Sequence, residues 1–199
     1  TLNLNGNKLM VGKNVSHTRG NISIEGGNLE VGGDYTITSG SDGRLVMTNP
    51  DDYVKVGGNF YAEGRYSHNG YLTKGVLEVK GDFTQRKYSD TENFKATGEH
   101  RVILSGEGLQ TVDFENAQSM FNILELKNES VDGVKFLTPF SAVEFIPNNY
   151  VYTFALSSVT GWKLDKDEVY TGDLMVAIGE LDLNGYNLQQ LIEITVEQI

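Results

Sequence analysis

A short phrase written over and over constrains this chain more than anything else in it. GNLEVGGDY occupies residues 27–35, and 48 positions later GVLEVKGDF occupies residues 75–83. Aligned on the valine that closes each apolar alternation, Val11, Val31, Val56 and Val79 lie 20, 25 and 23 residues apart. Four positions past each anchor stands Val15, Tyr35, Phe60 or Phe83, preceded by Asn14, Asp34, Asn59 or Asp82. The shared unit is L-x-V-x-G-[DN]-[FY], with Lys13 in the glycine place of the first copy. Weaker copies continue as HRVILSG around Leu104 and NILELKN around Leu126.

The alternation has period two. Leu29 and Val31 point one way and Asn28 and Glu30 the other; Leu77, Glu78 and Val79 repeat the pattern. That reads as strand with one buried face. A strand of a few residues cannot bury its face alone, so each copy must stack on the next, as in a solenoid. The period leaves no room for a crossover helix, and the linking pieces carry no 3.6-residue apolar stripe. The expected fold is all-β, a parallel β-helix (β-solenoid) with about 20–25 residues per coil. Coils would stack ~4.8 Å apart, giving a rod on the order of 40 Å long for eight of them. Gly32, Gly33, Gly57, Gly58 and Gly81 are expected at corners that need positive φ. Asn59 should stack between Asp34 and Asp82 and keep the two carboxylates apart, each side chain bonding a nearby backbone N–H.

Regular coils are expected over 1–136. Residues 137–199 read as irregular coils or a cap, because the stretch from Val134 to Lys166 breaks the rhythm and holds Pro139, Pro147 and Trp162. The closing LQQLIEITVEQI reads as strand through its β-branched residues Ile192 to Val196, with a short amphipathic helix left open. LNLNGNKL at Leu2–Leu9 returns as LDLNGYNL at Leu181–Leu188, an offset of 179, so the chain ends by beginning a further repeat or by reusing an Asn-Gly turn.

Composition excludes several classes. Cysteine is absent, which rules out disulfides and thiolate metal sites. The net charge of −11 disfavours nucleic acid and polyanionic substrates. No apolar run approaches the roughly 18 residues of a membrane span, so membrane insertion is not expected.

Candidate sites are sparse. His17, His68 and His100 fall at different phases of the coil, so stacking does not gather them into a metal or triad site, and they read as loop histidines. Arg19, Arg44, Arg65 and Arg86 recur at 25, 21 and 21 residues and resemble a ladder for acidic sugar, but solvated loop charge explains them better. No cofactor is expected. A structural calcium is left open at Asp51–Asp52, at Asp90 with Glu92, or at Asp165, Asp167 and Glu168, none of which forms a recognised calcium loop. The most suggestive stretch is FYAEGRYSHNGYLTKG. It sets Tyr61, Tyr66 and Tyr71 among Arg65 and His68, and these five residues are the candidate ligand-binding set. Exposed tyrosines beside hydrogen-bonding groups stack sugar faces; tyrosines covering a long corner are the competing explanation. No catalytic motif appears.

The units GNLEVGGDY, YVKVGGNF, GVLEVKGDFTQ, HRVILSGEGLQTV and FNILELKN resemble repeats of large secreted or surface-exposed proteins of Firmicutes-type bacteria, similar in spirit to filamentous adhesin β-helices. The resemblance covers residues 1–136. It implies an extracellular or cell-surface structural or adhesive module, with a host or cell-wall glycan or a protein as partner, and it carries over no catalytic residue. Carbohydrate recognition by the tyrosine-rich loop is the second expectation, and a polysaccharide-cleaving β-helix enzyme the third.

Overall fold

A computed structural model of the chain describes residues 1–116 and 118–147, and beyond them the backbone of six short strands. No helix occurs among these residues; the fold is an all-β solenoid of about six turns, with about 23 residues per coil.

Each early coil has three strands. The first contains β1 (Leu2–Asn3), β2 (Lys8–Val11) and β3 (Val15–His17); the second β4 (Asn21–Ser23), β5 (Asn28–Val31) and β6 (Tyr35–Ile37); the third β7 (Arg44–Val46), β8 (Tyr53–Val56) and β9 (Phe60–Ala62). Later coils keep two strands: β10 (Val76–Val79) with β11 (Phe83–Gln85), β12 (Arg101–Leu104) with β13 (Gln110–Phe114), β14 (Phe121–Leu126) with β15 (Val134–Phe136), and β16 (Phe140–Ile146) with β17 (Tyr152–Phe154). Then follow β18 (Val159–Thr160), β19 (Trp162–Lys163), β20 (Glu168–Tyr170), β21 (Leu181–Asp182) and β22 (Leu188–Gln190).

Every pairing is parallel and joins one coil to the next. The first long sheet runs β2-β5-β8-β10-β12-β14-β16-β18 and the second β3-β6-β9-β11-β13-β15-β17. The third side pairs β1, β4 and β7, then thins to single bridges: Met47 with Leu72, Leu72 with Ala96, and Lys95 with Met120. The expected column of Val11, Val31, Val56 and Val79 is in register, and it continues through Leu104 and Leu126. Beside it Leu9, Leu29, Val54, Leu77, Val102 and Leu124 form a second column. These side chains are buried from the second coil onward and fill the rod. The aromatics stack as well: Tyr35 on Phe60 at 5.5 Å between ring centres, Phe60 on Phe83 at 5.0 Å and Phe83 on Phe114 at 5.6 Å.

The polar position before each aromatic builds a ladder between coils, not a turn within one. Asn14 Oδ1 accepts from the Asp34 N–H at 2.9 Å, Asp34 Oδ1 from Asn59 at 2.8 Å, Asn59 Oδ1 from Asp82 at 2.8 Å, and Asp82 Oδ1 from Thr111 at 2.7 Å. This ladder corrects the expected role of the glycines. None of Gly32, Gly33, Gly57, Gly58 and Gly81 has positive φ. They are small because the preceding coil presses on them. A Cβ on Gly58 would lie 2.4 Å from Asp34 Oδ1, and one on Gly57 would lie 2.7 Å from the Gly32 carbonyl oxygen. Positive φ is used elsewhere, at Asn5–Gly6 and again at Glu25–Gly26, where the chain turns from the third side into the first sheet.

Two glycines separate soft from hard obstruction. A Cβ on Gly33 meets only the end of Asn14, at 2.0 Å, with the nearest backbone at 3.2 Å. A Cβ on Gly81 meets Gly58 backbone carbon at 2.5 Å as well as Asn59 Oδ1 at 2.4 Å. Gly33→Ala is expected to cost about 1 kcal/mol, the worth of the Asn14 bond it displaces. Gly81→Ala is expected to cost about 3 kcal/mol, because backbone must shift. Urea denaturation of the two variants checks the order; equal losses contradict it.

The outer face of the first sheet is laced by charge. Lys8 pairs with Glu30 at 2.8 Å, Lys55 with Glu78 at 3.2 Å, and Glu125 holds Arg101 at 2.5 Å and Lys127 at 3.0 Å. Burial pushes the Glu78 and Glu125 carboxyls up, but hydrogen bonds from Tyr53, Ser105 and Lys55, and from Arg101 and Lys127, outweigh it and hold both below the usual range. The expected cap or irregular portion from 137 onward falls largely outside the described residues, and Ile192–Val196 falls wholly outside them.

Candidate functional site

The loops from the second sheet to the third side lengthen along the rod and then hold their length: residues 18–20, then 38–43, then 63–71 and 86–94. Together they make a ridge, and the tyrosine-rich stretch is its third loop. Tyr61 precedes that loop, on the outer face of β9, where its hydroxyl donates to Glu63 Oε2 at 2.6 Å. Burial first, and this hydrogen bond second, push its phenol up to about 12.

Within the loop the arrangement turns on Arg44, which sequence reasoning placed among the solvated charges. Its guanidinium lies over the Tyr66 ring at 4.5 Å and over the Tyr71 ring at 5.0 Å, and its Nε donates to the Ser67 carbonyl at 3.1 Å. Arginine on an aromatic face is a stable pairing, and here it uses a face of each tyrosine. Arg65 reaches Asp42 at 3.8 Å and lies 6.0 Å from the Tyr88 ring. Tyr88 crosses two coils to cover Gly40, whose Cβ would meet the ring at 3.0 Å. Glu92 gathers Ser67 at 3.2 Å, Asn69 at 3.5 Å and Lys95. Tyr88 went unnamed in the sequence, and Arg44 and Glu92 were read there for other roles; each reaches a partner roughly a coil away, a spacing that variable loop lengths conceal.

His68 is fully buried, so it presents no surface to a ligand. Its Nε2 accepts from the Leu45 N–H at 3.3 Å, which leaves the proton on Nδ1, directed to the Asn93 backbone. Burial drives its pKa down to about 3. His100 is also buried; it donates from Nδ1 to the Lys74 carbonyl at 2.9 Å, and burial lowers its pKa to about 4. His17 donates from Nε2 to the Gly20 carbonyl at 2.8 Å, so its Nδ1 accepts from the Tyr35 hydroxyl at 2.9 Å. All three were expected as loop histidines; the structure makes them core pieces that tie loops to the rod.

Three of the recurring arginines are engaged within the protein. Arg44 serves two tyrosines, Arg65 serves Asp42, and Arg86 pairs with Asp113. Of the acidic candidates, Asp52 is buried, with Oδ1 accepting from the Gly26 N–H at 2.5 Å and Oδ2 from the Asn49 N–H at 3.0 Å. Asp90 accepts from the Glu92 N–H at 2.7 Å. The third group, around Asp165, lies outside the described residues. Among the described residues no three acidic or histidine side chains converge as a metal cage would require.

An open groove of about 400 Å³ runs beside the ladder on the second sheet, lined by Asp34, Thr36, Asn59, Tyr61, Asp82 and Thr84. No family model, curated protein or solved structure matches this chain.

Proposed function

We propose that this chain is a rigid repeat module of a bacterial extracellular surface protein, acting as a spacer that holds its corner loops at fixed intervals. What carries the reading is the uninterrupted register of the core columns from the first coil to the sixth. Each coil adds one rung and no hinge, so length follows coil number at ~4.8 Å per coil. The ridge fits the same role. Its charged and aromatic groups bind one another across coils, which stiffens the loops against the rod. The bacterial and surface elements of the reading rest on the repeat units that resemble large surface proteins.

Antibody labelling of intact source cells tests the location; the expected result is labelling without permeabilisation, and labelling only after lysis overturns it. Duplication of the coil spanning residues 53–75 tests the spacer, and small-angle scattering should show a rod about 4.8 Å longer with its sheet content intact.

Carbohydrate recognition by the tyrosine-rich loop is the weaker reading, because Arg44 already lies on Tyr66 and Tyr71 and His68 is inside the core.

A further inference from the structure

From the atoms that the ladder leaves unspent, we infer that the groove on the second sheet is a binding track for a neutral, extended, β-linked pyranose chain lying along the rod axis. Each ladder side chain spends one oxygen on the next rung and keeps its second polar atom. Asp34 and Asp82 keep Oδ2, an acceptor; Asn14 and Asn59 keep Nδ2, a donor. The rungs are consecutive, so the track alternates donor, acceptor, donor, acceptor at the inter-strand spacing of ~4.8 Å. The parallel column two residues on is Ser16, Thr36, Tyr61 and Thr84, in register and hydroxyl-bearing at every rung. The volume of about 400 Å³ between the columns is that of a ligand site, and Tyr61 stands in its middle with its hydroxyl held by Glu63.

The ligand follows from the lining. A track that alternates donor and acceptor suits groups that do both, which are alcohol hydroxyls. The repeat must match one rung. An extended sugar chain advances by about one ring per rung, whereas an extended peptide advances only ~3.3 Å per residue and falls out of step at once. Two carboxylates on a chain of net charge −11 turn away acidic polysaccharide. The Tyr61 ring offers an apolar face to the C–H side of a sugar. This track is separate from the spacer role: the rod stands if the groove binds nothing.

Affinity electrophoresis of the intact chain through gels containing hydroxyethylcellulose or mixed-linkage β-glucan, with polygalacturonate as the acidic comparison, decides it. The expected result is retardation by at least one neutral glucan and none by polygalacturonate. Tyr61→Ala should weaken retardation at least tenfold. Asp34→Asn with Asp82→Asn keeps every ladder acceptor, so the coil folds, yet turns both outward acceptors into donors; it too should weaken retardation severalfold, with an unchanged circular dichroism spectrum. No retardation by either neutral glucan, equal retardation by polygalacturonate, or full retardation of both variants overturns the inference.

Discussion

Phe83→Ala is expected to lower stability by about 4 kcal/mol and to break the cooperativity of unfolding. The ring is fully buried at the point where the stacked aromatics meet a second set. It stacks on Phe60 at 5.0 Å and Phe114 at 5.6 Å, and Phe94 and Phe121 approach it at 4.8 and 5.0 Å. Its four neighbours come from the third coil, the loop after the fourth, and the fifth and sixth coils. Truncation therefore removes ring burial and opens a cavity that fixed rungs cannot close. A solenoid is held by contacts between adjacent coils, so weakening this level uncouples the coils before it from those after it. Urea unfolding followed by circular dichroism and by tyrosine fluorescence should show transitions that no longer coincide. Phe83→Leu, which keeps most of the volume, should cost less and stay cooperative. A single unshifted transition for Phe83→Ala contradicts the argument.

Much of this interior was legible in the sequence because period-two alternation and a near-constant coil length both report on stacking. Val31 and Val56 announce their column by what precedes and follows them; even the weak copies at Leu104 and Leu126 fall in it. The third side was not legible. It narrows to bridges at Met47, Leu72 and Ala96, single residues that carry no periodicity. The glycines show a subtler failure. Their presence marked the corner correctly, but local conformation suggested positive φ, whereas the constraint lies one coil away in the oxygens of Asn14, Asp34 and Asn59. The ridge was hidden for a related reason. Arg44 meets Tyr66 and Tyr71 across a loop whose length changes from coil to coil, so no fixed spacing announces the pair. The histidines misled because polar residues in loops are ordinarily exposed, and here the loops fold inward over the end of each strand.

Those histidines give the last large effect, a loss of stability on mild acidification. In the folded chain His68 and His100 stay neutral until the pH falls to about 3 and about 4. In the unfolded chain each takes up a proton near its ordinary value of 6.5. Between these limits the unfolded state binds more protons, so stability is full above about pH 6.5 and drains away as the pH falls toward 4. It levels off for these residues only when the folded rings also protonate. For His100 the loss by pH 4 is on the order of 3 kcal/mol. Neighbouring charge works in the same direction at His68, where Arg44 opposes a second cation after burial has already done so. The carboxylates act in a lower window. Glu78 and Glu125 are held below 4.5 when folded, so their contribution begins to fail only beneath that value. Thermal midpoints measured from pH 7.5 to 4 should therefore already decline above pH 5, where carboxylates are silent. His100→Asn can still donate to the Lys74 carbonyl but cannot titrate, and it should flatten part of that decline, the rest belonging to His68 and to His17, which burial also lowers. A midpoint constant from pH 7.5 to 5 in the unaltered chain would mean that these rings are solvated and the loops do not close over the core.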